Sequence, residues 1–143
     1  MSYKFVDNVA IADVAFEANG KTPEDLFESA ALATTNTMVK DLKTVKKKEK
    51  RTFKLEQKEL DRLLNDFLQE IIFYKDAEML LFSNYKIKIT QKDNMFFLSA
   101  TCTGEKLDMK KHELLVDVKA VSWHMFKVEK FSKGWQAFVI LDV

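Results

Sequence analysis

Apolar residues recur along the chain with two different periods, and the switches between them mark the elements. At residues 10–20, Ala10, Ala12, Val14, Phe16 and Ala18 fall on one face of a two-residue repeat, while Ile11, Asp13, Ala15 and Glu17 fall on the other. That alternation predicts a strand with one buried face. Asp13 therefore shares a face with Ile11 and Ala15, where a carboxylate is costly to desolvate unless a cation or hydrogen-bond donors meet it. The other reading of the same pattern is an exposed face carrying Asp13 and Glu17. Residues 3–6 predict a short preceding strand, with Asp7 and Asn8 as a turn or bulge.

Gly20 ends the strand, and Thr22-Pro23-Glu24-Asp25 predicts a helix start. Thr22 can cap, Pro23 suits the first helical position, and the two acids face the positive end of the helix dipole. Leu26, Phe27, Ala30, Ala31, Thr34 and Met38 then repeat at helical spacing to about residue 39, a thin face suited to lying close on a sheet. A second helix is predicted from Glu59 to Tyr74, where Leu60, Leu63, Leu64, Phe67, Leu68, Ile71 and Ile72 hold the three-and-four spacing. Its other face, with Asp61, Arg62, Asn65, Asp66, Gln69 and Glu70, reads as solvated or as a dock for a basic partner.

Strand periodicity occupies the rest. Residues 52–57, 79–82, 86–90 and 96–103 alternate, with Lys92-Asp93-Asn94 as a hairpin turn. Residues 104–111 read as a polar connection, 114–128 as a long β-rich stretch, and 135–143 as a final strand after a turn at Gly134. Two helices with separate apolar stripes and about seven strands predict an α+β fold of two layers, the helices packed on a mostly antiparallel β-sheet. With 143 residues, one domain over 1–143 is expected.

Charge and composition narrow the function. Lys and Arg number 23 against 22 acids, so the net charge of +1 encodes no long-range pull toward nucleic acid or anionic lipid. The one basic cluster, residues 40–51 with Lys40, Lys43, Lys46, Lys47, Lys48, Lys50 and Arg51, reads either as an RNA or acidic-partner contact or as a solvated edge. The lone Cys102 has no disulfide partner and sits as a packed strand residue would. No stretch has the length and apolarity of a membrane span, so a cytoplasmic protein without a membrane partner is expected. Three glycines and one proline leave no glycine-rich phosphate loop.

The candidate chemistry is acidic. The final strand ends Leu141-Asp142-Val143. Should it pair beside the Asp13 strand, Asp13, Asp142 and Val143 would bring together hard oxygens of the kind that hold Ca²⁺ or Mg²⁺. His112 and His124 lack a zinc-ligand spacing to each other or to Cys102. His112, among charged neighbours, reads as a surface residue, and His124, beside Trp123, as packed or hydrogen-bonded. A metal-dependent hydrolase using the same acids lacks an evident base, nucleophile or orienting loop.

Together these stretches resemble the archease family along essentially the whole chain. The resemblance is carried by Ala12-Asp13-Val14, Gly20-Lys21-Thr22, Glu24-Asp25-Leu26-Phe27-Glu28-Ser29-Ala30-Ala31-Leu32, Lys111-His112-Glu113, Val118-Lys119-Ala120-Val121 with His124 after it, and Leu141-Asp142-Val143. It implies a small accessory protein, not itself an enzyme, that promotes guanylation and repeated turnover of an RtcB-type tRNA-splicing ligase. It also implies a chaperone-like modulator of tRNA modification, including a tRNA cytosine methyltransferase. Carried over, the family's metal site matches Asp13, Asp142 and Val143, with Ca²⁺ as the implied divalent metal and Mg²⁺ as the alternative. Lys119 matches a family lysine and is a candidate for partner contact, together with His112 and His124. Many members read His-Thr-Ala-Asp where this chain has Ala10-Ile11-Ala12-Asp13, so the role of that histidine is absent here or passes to Asp7 or Asn8.

Overall fold

In the computed structural model, residues 2–7 and 13–143 are described. The expected strand at residues 10–12, Ala10 at the missing family histidine, and Asn8 lie outside them. Seven strands and two helices follow in the order β1 (Ser2–Val6), β2 (Asp13–Gly20), α1 (Pro23–Met38), β3 (Glu49–Gln57), α2 (Leu60–Glu78), β4 (Leu80–Lys92), β5 (Met95–Lys106), β6 (Ala120–Phe131) and β7 (Gly134–Asp142). The α+β class holds, and every strand pairing is antiparallel. The strands divide between two sheets, β1-β2-β7-β6 and β3-β5-β4.

Local chemistry explains the helix boundaries. Thr22 caps α1, its Oγ1 accepting the Asp25 N–H at 3.1 Å, with Pro23 in the first turn. α2 runs four residues beyond the end that its apolar stripe marks and stops at Met79, which takes a left-handed conformation (φ 56°). Lys75 in that extra turn is buried and donates to Asp117 Oδ1 (2.5 Å) and to the Val118 carbonyl (2.8 Å). Through it, α2 holds down residues 117–118.

Three stretches differ from the alternation read in the sequence. The expected strands at 79–82 and 86–90 are one strand, β4, interrupted by a bulge between Phe82 and Asn84 that absorbs the break in pattern. Residues 114–119 do not join a ladder beyond the isolated Val39–Leu114 bridge, so the β-rich stretch forms a strand only from Ala120. Its backbone is held instead by single bonds to the end of α1, Lys40 N–H to Glu113 O and Leu115 N–H to Met38 O, both 2.9 Å. The polar connection begins as strand, since β5 extends to Lys106.

Both helices touch both sheets: α1 packs on β2 and β4, and α2 on β6 and β3. Phe67 of α2 is the meeting point, stacked on Phe27 of α1 at 5.8 Å, near Phe53 of β3 at 6.0 Å and edge-on to Tyr85 of β4 at 6.2 Å. Tyr85, fully buried, keeps its hydroxyl paired with Thr35 Oγ1 at 2.7 Å, and burial pushes its ionisation well above the ordinary phenol range. Cys102 is buried on β5 as expected, and burial lifts its thiol to about 12, which leaves it unreactive.

Gly104 permits the closest backbone approach in this packing, because a Cβ there would stand 1.8 Å from the Leu81 carbonyl oxygen at the bulge of β4. Gly104→Ala is expected to lower stability by about 2–3 kcal/mol, the cost of an overpacked contact that must push strands apart. A loss of unfolding free energy, from denaturant titration, of less than a quarter of that would show that the β4–β5 crossing relaxes freely.

Candidate carboxylate site

β2 and β7 are neighbours, and their register pairs Asp13 with Asp142 directly. The register is set by the apolar faces: Val14 meets Leu141, Phe16 meets Val139 and Ala18 meets Ala137. A slip of one residue would turn this whole set away from the helices. The alternate positions pair Asp13 with Asp142 and Ala15 with Ile140 on the opposite face. Directly opposed residues hold their Cβ atoms about 5 Å apart, where like charges repel. Asp13 and Asp142 are half-buried, and the adjoining Ala15 and Ile140 are buried, so water screens that repulsion incompletely. Neither acid joins an ion pair among the described residues.

β6 completes the neighbourhood from the other side of β7. Ala120 is the pairing partner of Asp142, and the Lys119 N–H donates to the Asp142 carbonyl at 2.8 Å. The backbone of Lys119 is thereby fixed beside the acids while its side chain stays exposed. Val143, half-buried, follows Asp142 and packs against the core. The donor set suits a hard cation that keeps several waters, since two opposed carboxylates supply charge but few ligands. Among the described residues no group of three His, Cys, Asp or Glu side chains converges to hold a metal.

Past Ser122 the β6 ladder jumps: Ser122 pairs with Ile140, and the next pair is Lys127 with Phe138. Residues 123–126 bulge out opposite Val139 alone, with Met125 in the left-handed region at φ 58°. Trp123 and Met125 are exposed at 55% and 59%. No alternation signals this bulge; the trace it leaves is Trp123-His124-Met125, which breaks the two-residue period.

The two histidines exchange their expected environments. His112, read as a surface residue, is only 2% exposed, and His124, read as packed, is exposed, with only its backbone N–H bonded, to Ser122 Oγ at 3.0 Å. His112 Nδ1 accepts the Asp108 N–H at 3.0 Å, which puts the ring proton on Nε2, facing Glu105 Oε2 at 3.1 Å. Its burial takes the ring away from direct partner contact. Burial raises the cost of ionising Glu105, but bonds from Lys111 Nζ (2.8 Å), the Lys46 N–H (2.6 Å) and His112 outweigh it and hold its carboxyl down at about 2.

The basic cluster at 40–51 is partly ion-paired, while Lys43, Lys46, Lys47 and Lys50 are exposed and join no ion pair among the described residues. Lys40 pairs with Glu113 at 3.5 Å and Lys48 with Glu105 at 3.7 Å. Arg51 places Nε and Nη2 on Glu78 Oε1, at 3.0 and 2.6 Å. Lys50 faces away from these pairs, on the outer side of β3.

Comparison with known proteins places the chain in a family and a fold. The sequence pattern of the archease protein family (MTH1598/TM1083) fits residues 3–143. Over 133 residues the chain is 36% identical to protein archease of Pyrococcus furiosus, which spans 92% of this chain and 93% of that one. The solution structure of protein 1598 of Methanobacterium thermoautotrophicum is similar at a TM-score of 0.86 and 37% identity, covering 99% and 98% of the two chains. A crystal structure of an archease, possible chaperone, from Thermotoga maritima shares the fold at a TM-score of 0.61 and 17% identity over 94% and 93%.

A carboxyl held at about 2 in the folded chain, against an ordinary 4.5, favours folding in full only above the ordinary value and loses its contribution as the pH falls toward 2. Glu105→Gln is expected to cost about 1–3 kcal/mol at neutral pH and to flatten the acid limb of stability between those two values. Urea midpoints followed across that window check it: a variant as acid-sensitive as wild type would place the titration elsewhere.

Proposed function

Because the chain belongs to the archease family, we propose that it is an accessory factor that activates an RtcB-type tRNA-splicing ligase, promoting its guanylation and multiple turnover through a divalent-cation site at Asp13 and Asp142. The observation that carries the reading is the cross-strand pairing of two half-buried carboxylates that join no ion pair among the described residues. Such a pair costs folding energy when empty, a cost that a bound cation would remove. Asp13 and Asp142 would be the charged ligands, with an oxygen of Val143 completing the protein's share. Ca²⁺, or Mg²⁺ in its place, would supply positive charge with exchangeable water positions open to a partner's phosphate oxygens.

The surroundings of the pair suit a docking role. Lys119 stands exposed on the segment bonded to Asp142, and the bulge with exposed Trp123 and Met125 begins four residues further on, in β6. An exposed tryptophan beside a charged centre is the usual composition of an interface anchor. His124, on the same bulge, is available to the same partner.

Two measurements test the proposal. Calcium titrated into the free protein is expected to raise the unfolding temperature of wild type but not of Asp13→Asn or Asp142→Asn, and without metal each variant should be more stable by a few tenths to about 1 kcal/mol as the repulsion disappears. In multiple-turnover ligation by the cognate ligase, wild type should stimulate and both variants should not. Full stimulation by folded variants would remove the carboxylates from the mechanism, and no stimulation by wild type would remove the ligase.

A further inference from the structure

The side of the three-stranded sheet that faces away from the helices carries a charge pattern unrelated to the carboxylate site. Alternation along β3, β5 and β4 sets four cross-rows on that side: Lys50-Thr103-Asn84, Thr52-Thr101-Lys86, Lys54-Ser99-Lys88 and Glu56-Phe97-Thr90. Lys92, opposite Met95, extends the β4 edge. Lys50, Lys54, Lys86, Lys88 and Lys92 are all exposed, and none joins an ion pair among the described residues. Glu56 is the one acid in the four rows. A net charge near zero thus conceals a sheet face with five free cations.

Strand geometry gives the face its scale. Rows lie about 7 Å apart along the strands, and the two lysine edges flank a central strip at about 5 Å on either side. The strip holds hydroxyls, Thr103, Thr101 and Ser99, and then the ring of Phe97, 38% exposed. A shallow depression of about 540 Å³ runs here between Lys54 and Lys88, with Phe97 and Ser99 on its floor.

Cationic edges, a hydroxyl-bearing floor and an exposed ring together fit one ligand chemistry, a flexible polyanion with flat bases. We propose that this sheet face binds single-stranded nucleic acid, its phosphates held by the two lysine edges and a base stacked on Phe97. An acidic peptide would use the lysines but has no need of the ring, and a duplex keeps its bases from stacking on it. This site is separate from Asp13 and Asp142 and from the paired residues of the 40–51 cluster.

The test needs no ligase, so its outcome is independent of the function proposed above. A labelled uridine dodecamer and its thymidine counterpart are titrated with the protein by fluorescence anisotropy over a salt series. Wild type is expected to bind, with the dependence of log affinity on log salt reduced by about 1.4 in the Lys54→Glu/Lys88→Glu variant, two phosphate contacts being lost. Phe97→Ala should weaken binding by about fivefold or more at an unchanged salt slope. These residues are exposed, and thermal unfolding verifies that each variant is folded. Tighter binding of the uridine strand than of the thymidine strand assigns the site to RNA, equal binding to either nucleic acid, and both support the proposal. Absence of binding, affinity unaltered in both variants, equal binding of a duplex, or displacement by polyglutamate at equal charge would each overturn it.

Discussion

The pairing of β2 with β7 is the contact on which the rest depends. It joins the strand that precedes α1 to the strand that ends the described chain, and it fills the middle of the four-stranded sheet, with β1 and β6 as its edges. The pairing is held by apolar matching on one face, Phe16 against Val139 and Ala18 against Ala137, which lie on the core cluster beneath the helices. What happens on the other face follows without further choice: Asp13 is brought opposite Asp142 because Val14 is brought opposite Leu141. The carboxylate pair therefore draws its geometry from hydrophobic packing, and its own electrostatics work against it.

Elsewhere the fold handles buried charge in the opposite manner. Glu105, 5% exposed, is met by Lys111, the Lys46 amide and a histidine whose tautomer is fixed by the Asp108 amide. Lys75 is met by Asp117, Asp76 and a carbonyl. Both sets fasten the irregular stretch between β5 and β6, which has little ladder of its own. Against that background of compensated buried charge, the carboxylates of β2 and β7 stand out as the pair without such partners among the described residues.

What could be read from the chain alone was whatever repeats locally. The Thr22-Pro23 helix start, the stripe from Leu60 to Ile72, the Asp93-Asn94 turn with both residues at positive φ, and the two faces of β2 all rest on neighbours in sequence. The opposition of Asp13 and Asp142 was legible only as a condition: each strand's faces could be read, but that β2 and β7 are neighbours depends on a contact between distant parts of the chain. The features that stayed hidden depend on compensation across the fold. Glu105 and His112 sit in a run of polar residues that pattern alone assigns to solvent; their burial is tolerable because they meet each other together with Lys111, the Lys46 amide and the Asp108 amide. The bulge at residues 123–126 and the break at Ser83-Asn84 both disturb a period of two, and from sequence such a disturbance looks the same as the end of a strand. The division into two sheets was equally out of reach, because each strand's faces are the same whichever sheet it joins.

The β2–β7 contact also dictates the order in which the molecule can be completed during synthesis. Everything from α1 through β5 is contiguous in the chain, and the three-stranded sheet uses no residue of β7. β2 has to wait, with one edge against β1 and the other bare, until β7 has been made. A closure between residues 13 and 142 is among the longest-range contacts this chain can form, and such closures are slow. In the interval Val14, Phe16 and Ala18 lie beside a row of unsatisfied amides, an open template for a wrong strand. The carboxylate pair cannot exist before that gap is filled, since one acid arrives with each side of it. No partly folded chain can hold the two acids opposed, so the pair is a property of finished molecules alone.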